Sequence, residues 1–198
     1  MPLKHIFKFM KKYTEIIKEN KENLNEHDGI LIIVDVQKVF GKFIPRDFEK
    51  KLNIYASKFD KVYQIWDSNK INKPSYKFNN EIKNIRKNYG TKFSKDLVKL
   101  TDELELNHPN VKEGDIFKTG NNFVIKIDNN HKWFYLNDEL VELYNELKGK
   151  NVIIVGGADN ECLEDVFVSM NSFGINAIYN HDYIYSAETS NQQQSTLQ

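Results

Sequence analysis

Two uninterrupted apolar runs constrain the fold of this chain more than any other feature. Residues Ile30–Val34 read Ile-Leu-Ile-Ile-Val, and residues 152–155 read Val-Ile-Ile-Val. A strand with one solvated face alternates apolar and polar residues, whereas an unbroken β-branched run is typical of a strand buried on both faces. Such strands occur in parallel sheets that helices cover. The sequence therefore predicts an α/β protein with a mostly parallel sheet.

The segments between these runs alternate between strand and helix patterns. Strands are also predicted at residues 61–66, 115–117, 123–127 and 175–179, and helices at 46–58, 96–104, 137–147 and 162–173. Asn137 is a good N-cap for the third of these helices, and Gly149 follows its end. The polar residues 68–80 are expected to form a loop. This alternation of strands and helices is typical of repeated βαβ units.

The ends of the chain differ from this central domain, which is predicted over residues 29–186. Residues 1–28 contain apolar side chains at near-helical spacing among Lys, Glu and Asn, which predicts an amphipathic N-terminal helix. Residues 187–198 are polar and include three consecutive glutamines, so a disordered tail is expected.

Composition narrows the class of partner. Lys plus Arg and Asp plus Glu number 28 each, so the net charge is zero and neither a nucleic acid nor a membrane surface is expected as partner. A small-molecule substrate or a protein partner fits better. The single cysteine excludes an intramolecular disulfide, and no apolar run has the length of a membrane span. These features favour the cytoplasm.

Three reactive side chains follow three of the predicted strands. Asp35 comes directly after the first apolar run, Lys118 after residues 115–117, and Cys162 shortly after residues 152–155. Carboxyl ends of parallel strands share one edge of the sheet, so we expect a Cys-Asp-Lys site there. Cys162 also begins a predicted helix, where the helix dipole is expected to lower the pKa of the thiol.

Four segments of the chain carry a family resemblance. They are Leu-Ile-Ile-Val-Asp-Val-Gln-Lys-Val-Phe at 31–40, Gly-Thr from residue 90, Glu-Gly-Asp-Ile-Phe-Lys at 113–118, and Val-Gly-Gly-Ala-Asp-Asn-Glu-Cys at 155–162, with Gly174 closing the helix that follows. In order and spacing they resemble the isochorismatase-like cysteine hydrolase superfamily, which includes isochorismatases, nicotinamidases and N-carbamoylsarcosine amidases. The resemblance implies a three-layer α/β/α fold with a mostly parallel, Rossmann-like sheet, assembled as dimers or tetramers.

The resemblance also implies roles for individual residues. Cys162 is the nucleophile, Asp35 the base that takes its proton, and Lys118 the cation that stabilises the thiolate. Backbone amides around Gly157, Ala158 and Cys162 hold the oxyanion, with a cis peptide bond between Gly157 and Ala158. The expected activity is hydrolysis of a small amide-like or related carbonyl substrate through a thioester intermediate.

The same resemblance suggests a pocket and argues against a metal. Phe40, Trp66 and Asp67 are the candidate pocket residues. Nicotinamidases place Asp-x-His after the second strand to bind a metal, but here Asn69 replaces the histidine. A lone carboxylate is a poor metal site. No metal and no cofactor are therefore expected, and nicotinamidase activity is disfavoured.

An alternative interpretation is a catalytically decayed member of the fold. Asp159 and Glu161 are carboxylates close to Cys162 in sequence, and they would oppose ionisation of the thiol if they pointed inward. Such a protein would serve as a structural or protein-binding subunit, assembled through the N-terminal segment. The persistence of all three reactive residue types favours the enzyme over this alternative.

Overall fold

The structure is a computed structural model that describes residues 28–67, 82–87, 91–128, 132–159 and 161–186, without the side chains of 91–94. The predicted N-terminal helix, the predicted loop at 68–80 and the predicted tail lie outside the described residues. Within this part of the chain there are eight strands and four α-helices. They are β1 (Ile30–Val34), α1 (Phe48–Ala56), β2 (Lys61–Asp67), β3 (Ile82–Lys87), α2 (Thr91–Asn107), β4 (Ile116–Thr119), β5 (Asn122–Lys126), β6 (Trp133–Leu136), α3 (Asp138–Leu147), β7 (Asn151–Gly156), α4 (Cys162–Ser172) and β8 (Asn176–Ile184).

Five strands form a parallel sheet in the order β3-β2-β1-β7-β8. The strand β1 lies at its centre, and its alternate side chains enter two separate apolar clusters. Ile30, Ile32 and Val34 pack with buried residues of α3 and α4, whereas Leu31 and Ile33 pack with those of α1. Burial on both faces removes the need for alternation, which explains the unbroken apolar run. The prediction of an α/β protein with a mostly parallel sheet is confirmed.

The strand order reverses between β1 and β7. The chain builds β1, β2 and β3 outward in one direction, and later adds β7 and β8 on the other side of β1. At such a reversal the connections leave the sheet toward opposite faces, which opens a crevice at the carboxyl ends of the two central strands. Gly156 ends β7 at this point with φ 108°, and a Cβ there would lie 2.1 Å from the Val34 carbonyl oxygen. The two central strands therefore approach each other too closely for any side chain at residue 156.

The strands β4, β5 and β6 form a second, antiparallel sheet. The prediction that residues 115–117 join the parallel sheet is wrong. Gly120 and Asn121 make a two-residue turn between β4 and β5, and a turn of that length pairs strands in antiparallel fashion, because a parallel pair needs a crossover of a dozen or more residues. Sequence reasoning also missed β3 and β6.

The helices match their sequence signals to different degrees. The side-chain oxygen of Asn137 accepts a hydrogen bond from the Leu140 amide at 3.0 Å, which confirms the predicted N-cap of α3. The helix α2 runs five residues earlier and three later than predicted. None of the helices in the described part of the chain combines the length and apolar character that a membrane crossing requires.

Candidate active site

Asp35 occupies the crevice directly after β1. It is 1 % exposed and has φ 51°, a left-handed conformation that Asp tolerates better than most residues. The Asp67 amide donates to its Oδ1 at 3.1 Å, and the Tyr185 hydroxyl donates to its backbone carbonyl at 2.8 Å. These bonds from β2 and from the residue after β8 hold the carboxylate in an orientation that the strand alone would not provide.

Lys87 is the partner of Asp35. It is the last residue of β3, it is 1 % exposed, and its Nζ is hydrogen-bonded to Asp35 Oδ2. Two opposite charges removed from water must pair closely, because an isolated buried charge is very costly. The ammonium of Lys87 therefore belongs to the same buried group as the Asp35 carboxylate.

Cys162 completes this group from the other side of the strand reversal. It is the first residue of α4, and its thiol interacts with both the Asp35 carboxylate and the Lys87 ammonium. The three side chains come from the ends of β1 and β3 and from the first residue of α4. The structure thus brings together a thiol, a carboxylate and an ammonium at one edge of the parallel sheet.

Lys118 does not belong to this group. It lies on β4 of the antiparallel sheet, with an exposed side chain, and it pairs across the hairpin with Phe123. The cation beside Asp35 is Lys87, and this corrects the sequence prediction. The strand β3 reads Ile-Lys-Asn-Ile-Arg-Lys, which lacks the alternation of a half-buried strand and the apolar run of a fully buried one. The Gly-Asn turn at 120–121 was the one signal that excluded Lys118 from the parallel sheet.

The pKa of the Cys162 thiol is higher than the sequence prediction gave. Burial raises the pKa of Cys162 to about 12, although the Lys87 charge acts to lower it and the Asp35 charge acts with burial to raise it. The prediction that the helix N-terminus lowers this pKa is therefore wrong. Removal from water disfavours the thiolate more than the helix dipole and the ammonium favour it. The resting form of Cys162 is the neutral thiol.

The other two members of the group are tuned by the same burial. Burial raises the pKa of Asp35 above its ordinary value, although the Lys87 charge opposes the change. Burial alone would lower the pKa of Lys87, but the Asp35 charge, the charge of a Cys162 thiolate and the hydrogen bonds to both raise it. Lys87 thus remains an ammonium at neutral pH.

The turn between β7 and α4 supplies backbone amides next to the sulfur. The Gly157–Ala158 peptide bond is cis, as the family resemblance implied. The Gly157 amide donates to the Val34 carbonyl oxygen at 3.0 Å, so it is not available to an oxyanion and this part of the prediction is wrong. Within the described residues, neither the Ala158 amide nor the Cys162 amide is a donor in the backbone hydrogen bonds of the turns, loops and helix caps. The Cys162 amide is in the first turn of α4, where helical amides have no partner within the helix.

Gln37 ties the segment after β1 to the end of β2. Its Nε2 donates to the Asp67 carbonyl at 3.2 Å and its Oε1 accepts from the Asp67 amide at 3.0 Å.

The three predicted pocket residues lie in the segments that follow β1 and end β2. Trp66 and Asp67 end β2 half-buried, whereas Phe40, in a short 3-10 turn (Lys38–Phe40), packs against the apolar cluster of α1. Asn69, which occupies the position of the missing metal ligand, lies outside the described residues.

A second charged pair lies one helical turn after Cys162. Lys132 Nζ contacts Asp165 Oδ1 at 2.7 Å, and burial raises the pKa of Asp165 although Lys132 opposes the change.

The two carboxylates that the alternative interpretation relies on differ in exposure. Glu161 is exposed and Asp159 is half-buried. The carboxylate whose charge contributes to the raised pKa of the thiol is that of Asp35. Within the described ranges, no three His, Cys, Asp or Glu side chains are grouped to hold a metal ion.

Comparison with models of protein families, with curated proteins and with solved structures returned no match.

Proposed function

We propose that this chain is a cysteine hydrolase of the isochorismatase-like kind, with the three-layer α/β/α arrangement of that family. It would act on a small amide-like or related carbonyl substrate through a thioester at Cys162, without a metal. The observation that supports the proposal is the contact of the half-buried Cys162 with the buried pair of Asp35 and Lys87 at the strand reversal. In this proposal Lys87 takes the role that the family resemblance implied for Lys118.

The first step is a proton transfer inside the buried group. The thiol of Cys162 gives its proton to the Asp35 carboxylate, and the resulting thiolate becomes the partner of the Lys87 ammonium. The net charge of the group does not change, so the transfer requires no new charge in the protein interior. A raised pKa suits Asp35 to this task, since a general base works best with a pKa near the working pH.

The thiolate then attacks the substrate carbonyl carbon and forms a C–S bond. The oxyanion that develops is stabilised by the Ala158 amide of the turn after β7 and by the Cys162 amide at the start of α4. Loss of one such donor typically costs about a hundredfold in rate. Protonated Asp35 next gives its proton to the departing nitrogen or oxygen, the bond to the leaving group breaks, and a thioester remains on Cys162.

Hydrolysis of the thioester returns the site to its starting state. Asp35, again a carboxylate, takes a proton from water as the water oxygen attacks the thioester carbonyl. The C–S bond breaks, the acid leaves, and Asp35 returns the proton to the sulfur. Lys87 keeps its proton throughout because its pKa is raised.

An acyl-trapping experiment tests this function before the natural substrate is known. The purified full chain is incubated with a nitrophenyl ester and with a panel of small amides, and its mass is measured over time. We expect one acyl group on Cys162, followed by its loss. In Asp35→Asn we expect the acyl group to persist, because the water-activating base is absent. Cys162→Ala is the matched control, and equal turnover of the ester by that variant would defeat the proposal.

One observation favours a second candidate function, a non-catalytic binding or structural subunit. The pKa of Cys162 is raised to about 12. A cysteine that reacts as a nucleophile in its resting thiolate form is expected to have a lowered pKa. The two candidates differ in the same experiment. A subunit without catalytic function would acquire no acyl group from any ester or amide of the panel, at any pH where the protein remains folded.

A further inference from the structure

The strand that carries Lys87 is at the edge of the parallel sheet. Among the strands that the structure describes, it pairs with β2 alone. Edge strands are the least constrained strands of a sheet because half of their backbone groups have no strand partner. Lys87 is therefore attached to an element that the sheet alone holds weakly, although its ammonium must stay in contact with Asp35 and Cys162.

Glu139 of α3 bonds to the free side of this strand. Its Oε2 accepts from the Arg86 amide at 2.9 Å, and its Oε1 accepts from Arg86 Nε and Nη2 at 2.8 and 2.6 Å. One carboxylate thus holds both the backbone and the side chain of the residue directly before Lys87. Burial alone would raise the pKa of Glu139, but the hydrogen bonds and charge of Arg86 lower it.

Asn137 holds the other backbone group of the same residue. Its Nδ2 donates to the Arg86 carbonyl at 2.7 Å, while its Oδ1 caps α3 by accepting from the Leu140 amide. Both outward backbone groups of Arg86 are consequently bonded to side chains at the start of α3. At the far end of the helix, Glu146 contacts Lys83 of the same strand at 3.8 Å.

We propose that Glu139 and Asn137 are positioning residues that hold the Lys87 ammonium against Asp35 and Cys162 through the Arg86 backbone. The inference rests on the proposed function, since it assigns these residues to the same site. Neither residue touches the reacting atoms. Their effect on the thiol passes through the location of Lys87.

The sign of the effect on the thiol separates positioning from simple electrostatics. Removal of the Glu139 charge would by itself favour the Cys162 thiolate and lower the thiol pKa. Displacement of Lys87 removes a nearby cation and raises the thiol pKa. A rise in the thiol pKa after neutralisation of Glu139 therefore reports a displaced lysine.

The experiment measures the rate of alkylation by iodoacetamide against pH. Cys162 is the only cysteine of the chain, so the total thiol signal belongs to it. Glu139→Gln keeps the size of the side chain but removes its charge and replaces one of its two acceptor oxygens by an NH2 donor. We expect alkylation at pH 9 to slow by about threefold to tenfold, because below the thiol pKa one pKa unit changes the thiolate fraction tenfold. Lys87→Met gives the largest slowing that loss of the cation can cause.

Two further variants keep the test decisive if Glu139→Gln folds poorly. Asn137→Ser retains a good N-cap but cannot reach the Arg86 carbonyl with an amide, so we expect a smaller slowing of alkylation in the same direction. Glu142→Gln removes an exposed carboxylate from the next turn of α3 and should leave the profile unchanged. Thermal unfolding of each variant shows that the fold is retained.

The outcomes separate this inference from the proposed function. A profile of Glu139→Gln or Asn137→Ser that matches the wild type, or that moves to lower pH, overturns the positioning role even if the melting temperature falls. A wild-type profile for Lys87→Met overturns the positioning role and the proposed function together. If the variants slow alkylation as expected but the wild-type protein acquires no acyl group from the ester or the amides, the positioning role stands and the proposed function alone is overturned.

Discussion

The two sheets of this molecule each contain a strand that ends at or near a lysine, and the two lysines differ in burial and in their charged partners. Lys87 ends β3 of the parallel sheet and is buried against Asp35, whereas Lys118 lies on β4 of the antiparallel sheet and is exposed. The burial of β4 alternates between half-buried and exposed residues. A charge on an exposed hairpin face needs no partner, but a charge at the covered end of a parallel sheet does.

The difference shows what makes an ionisable group reactive in this fold. Position at the end of a strand is shared by both lysines, so position alone does not distinguish them. Burial beside an opposite charge and a thiol distinguishes Lys87, because low polarity makes each of these groups sensitive to the protonation of the others. Four experiments test this comparison, from the largest expected effect to the smallest.

Replacing the two lysines by methionine should give the largest contrast. Lys87→Met leaves the Asp35 carboxylate buried without its cation, so we expect a loss of about 3–5 kcal/mol in the free energy of unfolding. We also expect no acyl transfer to Cys162. Lys118→Met should change the free energy of unfolding by no more than about 0.5 kcal/mol. Urea unfolding of both variants measures this, and equal losses would refute the distinction between the sheets.

The glycines that end strands in the two regions should also differ. Gly156→Ala would force a Cβ against the Val34 carbonyl at φ 108°, and we expect a loss of at least about 3 kcal/mol in the free energy of unfolding. Gly120, in the hairpin, has φ 65° with open space around it, so Gly120→Ala should cost only about 1–2 kcal/mol. Chemical denaturation decides this, and a similar cost at both positions would mean that the strand reversal can relax.

Neutralising an aspartate tests the electrostatics at the thiol. In Asp35→Asn the carboxylate that raises the pKa of Cys162 is gone while Lys87 remains, so the pKa of Cys162 should fall. We expect alkylation at pH 8 to become about tenfold faster, which corresponds to one pKa unit. Asp115→Asn, an exposed carboxylate next to β4, is the control and should react like the wild type. Slower alkylation of Asp35→Asn would contradict the charge arrangement described here.

The smallest expected effect is a difference in alkaline stability. The pKa of Cys162 is raised from its ordinary value near 9 to about 12 on folding, so between these values the folded state holds more protons than the unfolded state. The free energy of unfolding contributed by this thiol is full below pH 9 and falls as the pH rises toward 12. Cys162→Ala should therefore lose stability less steeply over this range. Parallel slopes in the two proteins would contradict the raised pKa of this thiol.

The central part of the parallel sheet could be predicted because strands buried on both faces consist of apolar residues without alternation. The runs at Ile30–Val34 and 152–155 are apolar without alternation, and Asn137 and Gly149 mark the ends of α3. Asp35 and Cys162 follow the two central strands, so their meeting followed from the same reasoning. The strand β3 left no comparable trace, because α3 covers its edge with Glu139 and Asn137 rather than with apolar side chains alone.

Sequence by itself determined the class of fold and the acid and thiol at the strand reversal, since unbroken β-branched runs dictate covered parallel strands whose ends share an edge. Only the tertiary structure decided which lysine joins them and in which protonation state the thiol rests. Both depend on distances between segments far apart along the chain. The hairpin at Gly120 turns Lys118 away, and the partial burial of Cys162 beside the buried Asp35 and Lys87 outweighs the local influence of a helix N-terminus.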